Sequence, residues 1–353
     1  MVFPRSGGCL PSLYASLLLA CLCSVARGYV EPRKFLLASN ARNGTIYYGQ
    51  ISNNGSVPHM KVLVKEGLEH PQGIAVDQKR SLLLVADSGL RKVVSYGLSL
   101  NGDTMSVDEQ TSVADDADVR WVAVDGTGNV LFTDELRQKI FEVSVAHVLE
   151  GNTTASDLYD AATLTQLSSP GGIASDNFFV YWTNKKDGLT KGTVARALQA
   201  PVAPSNSSNI ILTAETDSGG SMVQTLSRTT DKSYGLCLAM DKIFYTDTEK
   251  NVWAAAADGN SEAVLISDQL ESPRGCAWDG ESLVYIADRT ANGIYVFPGP
   301  MANLVATNLT RAADLEDAFG LALFSAAGRL VPSLALMAWA PLAALAAVTA
   351  RAF

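Results

Sequence analysis

The chain has 353 residues, 47% of them hydrophobic and 18% charged, with a formal net charge of −9 and a mean hydropathy of +0.12. Disorder needs low hydrophobicity with high charge, so this composition excludes it. A positive mean hydropathy on an acidic chain places part of the apolar content outside a folded body, and both ends show where it lies.

Residues 1–28 hold no acidic residue, carry Arg5, and lead into an apolar run over residues 13–25 that is too short to span a bilayer. That pattern is a secretory signal peptide, with small residues for cleavage after Ala26 or Gly28. Residues 29–325 read as one body. In the final segment, 326–353, residues 330–348 are apolar and uncharged between Arg329 and Arg351, after the small-residue cluster Ser325-Ala326-Ala327-Gly328. Two readings compete. A glycosylphosphatidylinositol (GPI) signal would attach at Ser325 or Ala326, although its polar spacer is very short. A transmembrane helix would need about 20 apolar residues, which the stretch barely supplies while holding Pro332 and Pro341. The anchor signal is favoured, because no basic tail follows to fix an orientation. A buried core helix is weaker still, since it would show a polar face.

The two ends hold Arg5, Arg27, Arg329 and Arg351 and no acid, so the body between them falls from −9 to −13. That field argues against nucleic acid as a general partner. Cys9, Cys21 and Cys23 belong to the signal peptide, which leaves Cys237 and Cys276 in an oxidising compartment as a disulfide candidate. Five N-x-S/T sequons, at Asn43, Asn54, Asn152, Asn206 and Asn308, fit an exported glycoprotein.

The interior repeats. Phe35-Leu36-Leu37-Ala38-Ser39-Asn40 opens it as an apolar run ending in a hydroxyl residue and Asn. Paired runs follow: Pro71-Gln72-Gly73-Ile74-Ala75-Val76-Asp77 with 82–87, Arg120-Trp121-Val122-Ala123-Val124-Asp125 with 130–134, and Pro170-Gly171-Gly172-Ile173 with Phe179-Val180-Tyr181-Trp182-Thr183-Asn184. Two more are Tyr234-Gly235-Leu236-Cys237 with Ile243-Phe244-Tyr245-Thr246-Asp247, and Pro273-Arg274-Gly275-Cys276 with 283–288. The first run missing from the N-terminal copy stands at the far end, Ala318-Phe319-Gly320-Leu321-Ala322-Leu323-Phe324.

Closing residues Asn40, Asp87, Asp134, Asn184, Asp247 and Asp288 are separated by 47, 47, 50, 63 and 41 residues. Such periods mark propeller blades. With a third and a fourth run in each copy, the reading is all-β: a six-bladed β-propeller with four strands per blade. Its ring is closed by residues 318–324 completing the sheet begun by residues 34–66, which leaves no open edge. The long step is absorbed by residues 196–221, rich in Pro, Ser and Asn, as a surface insertion.

These phrases resemble six-bladed propellers of the NHL and YWTD (low-density-lipoprotein-receptor type) families. Residues 71–77 with Val85-Ala86-Asp87-Ser88-Gly89-Leu90-Arg91-Lys92-Val93 are close to the NHL phrase, and Tyr181-Trp182-Thr183-Asn184 and Tyr245-Thr246-Asp247 look like degenerate YWTD boxes. The resemblance covers nearly the whole body and implies the fold. For function it implies receptors and adhesion modules as well as lactonases, arylesterases and lyases.

The Asp/Asn column, tempting as a set of catalytic groups, recurs at strand ends, where such side chains cap turns. In this topology the innermost strands start at one face, here the top, and Gln72, Arg120, Gly171, Tyr234, Arg274 and Phe319 ring the channel mouth there. A hydrolase or lyase resembling paraoxonases or gluconolactonases would need carboxylates converging on calcium, or a His base. The ring offers no carboxylate, and of His59, His70 and His147 only His70 falls in a top loop. That enzyme, with calcium, is therefore the alternative.

The favoured reading is a cell-surface ligand-binding or adhesion module without chemistry or cofactor. It sits on the extracellular face of the plasma membrane and takes a protein or an anionic glycan through its top face. Cations recur in the second-to-third-strand turns, among them Arg91 and Lys185, and with Arg120 and Arg274 they make a candidate basic patch on an acidic body. Solvated turns are the plainer account of the same residues. Cys237 and Cys276 fall on inner strands of neighbouring blades at registers one apart, so the thiols either face each other and bond, or both point away.

Overall fold

The computed structural model describes residues 32–185, 192–200, 223–229, 231–299 and 303–326. The chain divides into two units. One is Lys34–Ser325; of the other, drawn from Met1–Arg33 and Ala326–Phe353, only residues 32, 33 and 326 are described. The signal-peptide and anchor segments, apart from Ala326, thus lie outside the described residues, as does Asn206. Among the described residues no helix is long and apolar enough to cross a membrane.

Six antiparallel sheets follow the repeat. Blade 1 has Ala318–Ala326 innermost, then Arg33–Asn40, Thr45–Gln50 and Lys61–Val64, so the far end of the chain closes the ring as the repeat predicts. In blades 2 to 6 the innermost strands are Pro71–Asp77, Val119–Val124, Pro170–Ser175, Ser233–Ala239 and Pro273–Trp278. Blade 2 departs from the four-strand pattern. Its third strand, Lys92–Asn101, overshoots the sheet and turns back through Thr104–Val107 before Thr111–Ala114 completes the blade. The hairpin docks on blade 1, where Met105 N–H donates to the Tyr48 hydroxyl at 3.1 Å.

The alternating strands bury Val, Ile, Leu and aromatic side chains between adjacent blades; Trp182, Tyr181, Tyr245, Tyr285 and Phe132 are fully enclosed. The tightest contacts lie nearer the axis. The register slips between Pro170 and Ile173 and between Ser233 and Leu236, freeing an N–H from the ladder at Gly172 and at Gly235. A hydroxyl from the second strand takes it up and passes its own proton to the next blade. Thr183 Oγ1 accepts from Gly172 N–H (2.8 Å) and donates to the Tyr234 carbonyl (2.7 Å). Thr246 links Gly235 to Arg274, Ser39 links Gly320 to Gln72, and Thr133 links Trp121 to Gly171 in the same way.

The glycines of the first runs are what allow this approach. A Cβ on Gly172 would lie 2.5 Å from the Tyr234 carbonyl oxygen and 2.6 Å from Leu236 N, both backbone atoms. Blade 3 is the exception: Trp121 replaces the glycine, and Thr133 still reaches the Gly171 carbonyl of the following blade.

The Cys237–Cys276 disulfide joins the innermost strands of blades 5 and 6, with Cα atoms 5.6 Å apart. The facing arrangement left open by the register is therefore the one adopted.

Gly172→Ala is expected to lower stability by about 2 kcal/mol or more, because neither clashing atom is a side chain that can swing away. Denaturant unfolding of the two proteins checks this. Replacing both Cys237 and Cys276 by Ala is expected to cost about 4 kcal/mol on the loop-entropy scale for their separation of 39 residues.

Candidate ligand-binding face

Six buried side chains pin the top loops. Asp87 accepts N–H bonds from Glu69 (2.8 Å) and His70 (2.9 Å) in the incoming connection, and from Gly89 (2.9 Å) and Leu90 (3.0 Å) in its own turn. Asp288 does the same for Glu271, Ser272, Thr290 and Ala291. Asn40 and Asn184 accept from Asn43 and Ser168 N–H in the same way and also donate, to the carbonyls of Glu316 and Gln166. Every member of the column is 0–1% exposed, so its oxygens hold loops and face no solvent.

Above this layer the mouth carries two clusters. In the first, Phe319 is buried against Trp121, ring centres 5.6 Å apart, although their blades are not neighbours. Arg289 Cζ lies 5.3 Å from the Phe319 ring centre, and its Nη2 is 2.8 Å from Asp317 Oδ1. Arg274 Cζ lies 4.2 Å from the centre of the Tyr234 ring on the adjacent blade, within cation–π range. Its Nη1 donates to the Pro273 carbonyl at 2.8 Å. Burial pushes the Arg274 guanidinium below its usual value; Tyr234 opposes the shift and Arg289 adds to it.

The second cluster centres on Glu135. Lys185 Nζ (2.7 Å) and Arg120 Nε (2.9 Å) both approach Glu135 Oε2, Ser169 donates to Oε1 (2.9 Å), and Arg120 Nη2 also reaches Asp118 (3.1 Å). Burial alone would push Glu135 up, but Lys185, with Ser169 and Arg120, overrides it and holds the carboxyl below its ordinary range. Burial pulls Lys185 down more than Glu135 raises it. Gln72 stands between the clusters, its Nε2 donating to Ser88 Oγ at 3.2 Å.

The cationic turns read quite differently once folded. Arg91 and Arg137 pair with Asp116, Arg42 with Glu316, Lys92 with Asp115, and Lys139 with Asp157 and Asp160. Among the described residues, most of the positive charge that the turn sequences imply is thereby met by carboxylates. Among the described arginines of the mouth and these turns, Arg274 alone meets no carboxylate. His70 Nδ1 lies 3.1 Å from the Ala41 carbonyl, and among the described residues no three His, Cys, Asp or Glu side chains gather where they could hold a metal ion.

Asn43, Asn54, Asn152 and Asn308 are all exposed. Asn43 lies in a top turn. The other three lie in third-to-outer-strand connections on the bottom face, where the innermost strand of blade 1 also delivers Ser325 and Ala326. Trp121 is the member that sequence reasoning missed, while Glu135 stands in the sequence only as one acid among the cationic turns. Trp121 was discernible as the one break in the glycine column.

No protein-family model matches the sequence, and no curated protein does. Among solved structures the chain is similar to one from the nidogen/laminin complex: 14% identity, TM-score 0.59, covering 82% of this chain and 98% of that one. It is also similar to a "putative 6-phosphogluconolactonase" from Bacteroides fragilis NCTC 9343 (12%, 0.54, 84% and 99%) and another from Bacteroides uniformis ATCC 8492 (12%, 0.54, 82% and 99%). At these identities the likeness is one of fold, and that fold serves neighbours of both kinds.

Glu135→Gln is expected to destabilise the protein by about 3 kcal/mol at neutral pH, because Lys185 is left buried and unpaired. Lys185→Met in the same chain should restore much of the loss in a double-mutant cycle. Glu135 has a depressed folded value, so its contribution is complete above the free carboxyl's 4.5 and is lost as pH falls through the folded value. Unfolding followed from pH 7 downward should lose this contribution in the parent and not in Glu135→Gln.

Proposed function

We propose that this chain is a cell-surface ligand-binding propeller that takes an anionic group of a protein or glycan at its top face, with Arg274 as the anchor. The observation that carries the reading is the contrast between Arg274 and its neighbours. The other described arginines of the mouth and its turns each meet a carboxylate, whereas Arg274 is stacked on Tyr234, half-buried, with Nε and Nη2 uncommitted. A partly desolvated guanidinium without a counter-charge gains more from an incoming carboxylate or sulfate than a solvated one does, and its planar fork favours a bidentate partner. Tyr234 adds aromatic surface of the kind enriched at interfaces.

Pinned loops support the same reading, since a surface held in place before binding has less order to lose. Of the two families whose motifs the chain resembles, the hydroxyl clasp made by Thr183 and Thr246 within their boxes favours the YWTD type. In this reading the protein works on the extracellular side of the plasma membrane, uses no cofactor, and carries N-glycans at its exposed sequons.

Arg274→Gln should weaken binding to immobilised heparin or an acidic peptide by about tenfold, the loss of one charge-assisted contact. Arg91→Gln, which removes a cation already paired with Asp116, should leave it unchanged. Equal losses in the two variants would reject Arg274 as the anchor. Turnover of an ester or lactone by the purified body, abolished by calcium chelation, would instead establish the hydrolase alternative.

A further inference from the structure

Six large apolar side chains among the described residues are markedly exposed, and four of them, Leu149, Phe178, Met240 and Val305, lie in bottom-face connections. Phe178 (75% exposed) and Met240 (69%) occupy the tips of the first-to-second-strand hairpins of adjacent blades 4 and 5, the connections nearest the axis.

Neither tip is a loose turn. Asp176 Oδ1 accepts the N–H groups of Phe178 (2.9 Å) and Phe179 (2.7 Å), while the Asn177 side chain hooks Gly126 N–H on blade 3. At the second tip, Ala239 pairs with Lys242, leaving the two-residue turn Met240-Asp241 with Met240 at φ 55°. Left-handed backbone at that place favours glycine or asparagine, and an exposed methionine there gains nothing from the core. Local strain combined with an apolar side chain aimed at solvent is the mark of a presented contact.

We infer that the bottom face rests on a lipid bilayer, with Phe178 and Met240 as its inserted contacts. The inference builds on the tethered, cell-surface reading. The innermost strand of blade 1 ends at Ala326 on this face, and the apolar stretch 330–348 begins four residues later, a covalent reach of about 14 Å at full extension. A body held that close to a bilayer by residues 330–348 or by a lipid replacing them needs only weak contacts to settle on it. Sequons Asn54, Asn152 and Asn308 lie in the outer connections of the same face, so glycans there would surround the two tips without covering them.

Charge sets the lipid class. Asp176 and Asp241 flank the tips, Lys242 is engaged by Asp241 at 2.6 Å, and Arg80 by Asp77 at 2.7 Å. Lys79 is taken up by the Gly126 carbonyl, so among the described residues no free basic cluster is left for anionic headgroups, and the contact should be apolar, favour zwitterionic lipid and resist salt.

The test uses the full chain reconstituted into phosphatidylcholine vesicles, with Phe178→Trp, Met240→Trp and, as a top-face control, Leu136→Trp, each read as the emission added over the parent chain. Flotation with the vesicles reports the tether by itself. For floating protein, bromine-labelled acyl chains are expected to quench the added emission of the two tip variants by roughly half, given the depth that interfacial side chains reach, and to leave the Leu136→Trp emission unchanged. The quenching should persist at high salt and should not grow when phosphatidylserine is added. Flotation without tip quenching overturns the docking while leaving the tether standing, and assigns the tips to a protein partner. Failure to float overturns both.

Discussion

The structure depends on how closely its innermost strands can approach one another. Each clasp joins a free N–H, a second-strand hydroxyl that receives it and a neighbouring carbonyl, and in three of the four described the missing Cβ of a glycine leaves that carbonyl reachable. A single clasp is worth one net hydrogen bond, about 1 kcal/mol, yet losing the hydroxyl would strand two buried backbone groups at a larger cost. The clasps also set the radius of the ring. The carbonyls they seize belong to Gln72, Gly171, Tyr234 and Arg274, so the packing that closes the inner ring also orients the side chains at the channel mouth.

Much of this was legible in the sequence because the repeat writes each role into a column. The Asp/Asn closing residues, the glycines and the hydroxyls recur at fixed places, and blade number and ring closure follow from counting them. The extra hairpin of blade 2 was not legible, since an overlong third strand adds residues without disturbing the 47-residue spacing on either side. Nor was charge pairing. Arg42 meets Glu316 across 274 residues and Arg289 meets Asp317 from the following connection, so the cations could be listed from the sequence while their neutralisation could not. Arg274 became distinctive only once its neighbours were seen to be satisfied.

Glu135 illustrates the price of a polar mouth. Two cations converge on one of its oxygens, an arrangement that desolvates three charges together and is seldom the most stable choice for a small volume. What it provides is definition: Arg120 and Lys185 are held in single orientations beside Ser169, on loops already pinned by the Asp/Asn column. The two faces thus differ in kind. The top is a fixed field of paired charge with one arginine left over, and the bottom presents hairpin tips whose shapes are imposed from below.

Ring closure by Ala318–Ala326 has a consequence for the order of events as the chain is made. The strand that pairs with Arg33–Asn40 is separated from it by some 280 residues, as the Ser39 to Gly320 hydrogen bond shows. Contacts of such long range form slowly. Through nearly the whole of synthesis, therefore, the first blade displays an unpaired edge with a continuous apolar run, Phe35 to Ala38, to its surroundings. Truncation between residues 314 and 318 would leave a molecule whose other blades are complete yet whose exposed edge invites self-association.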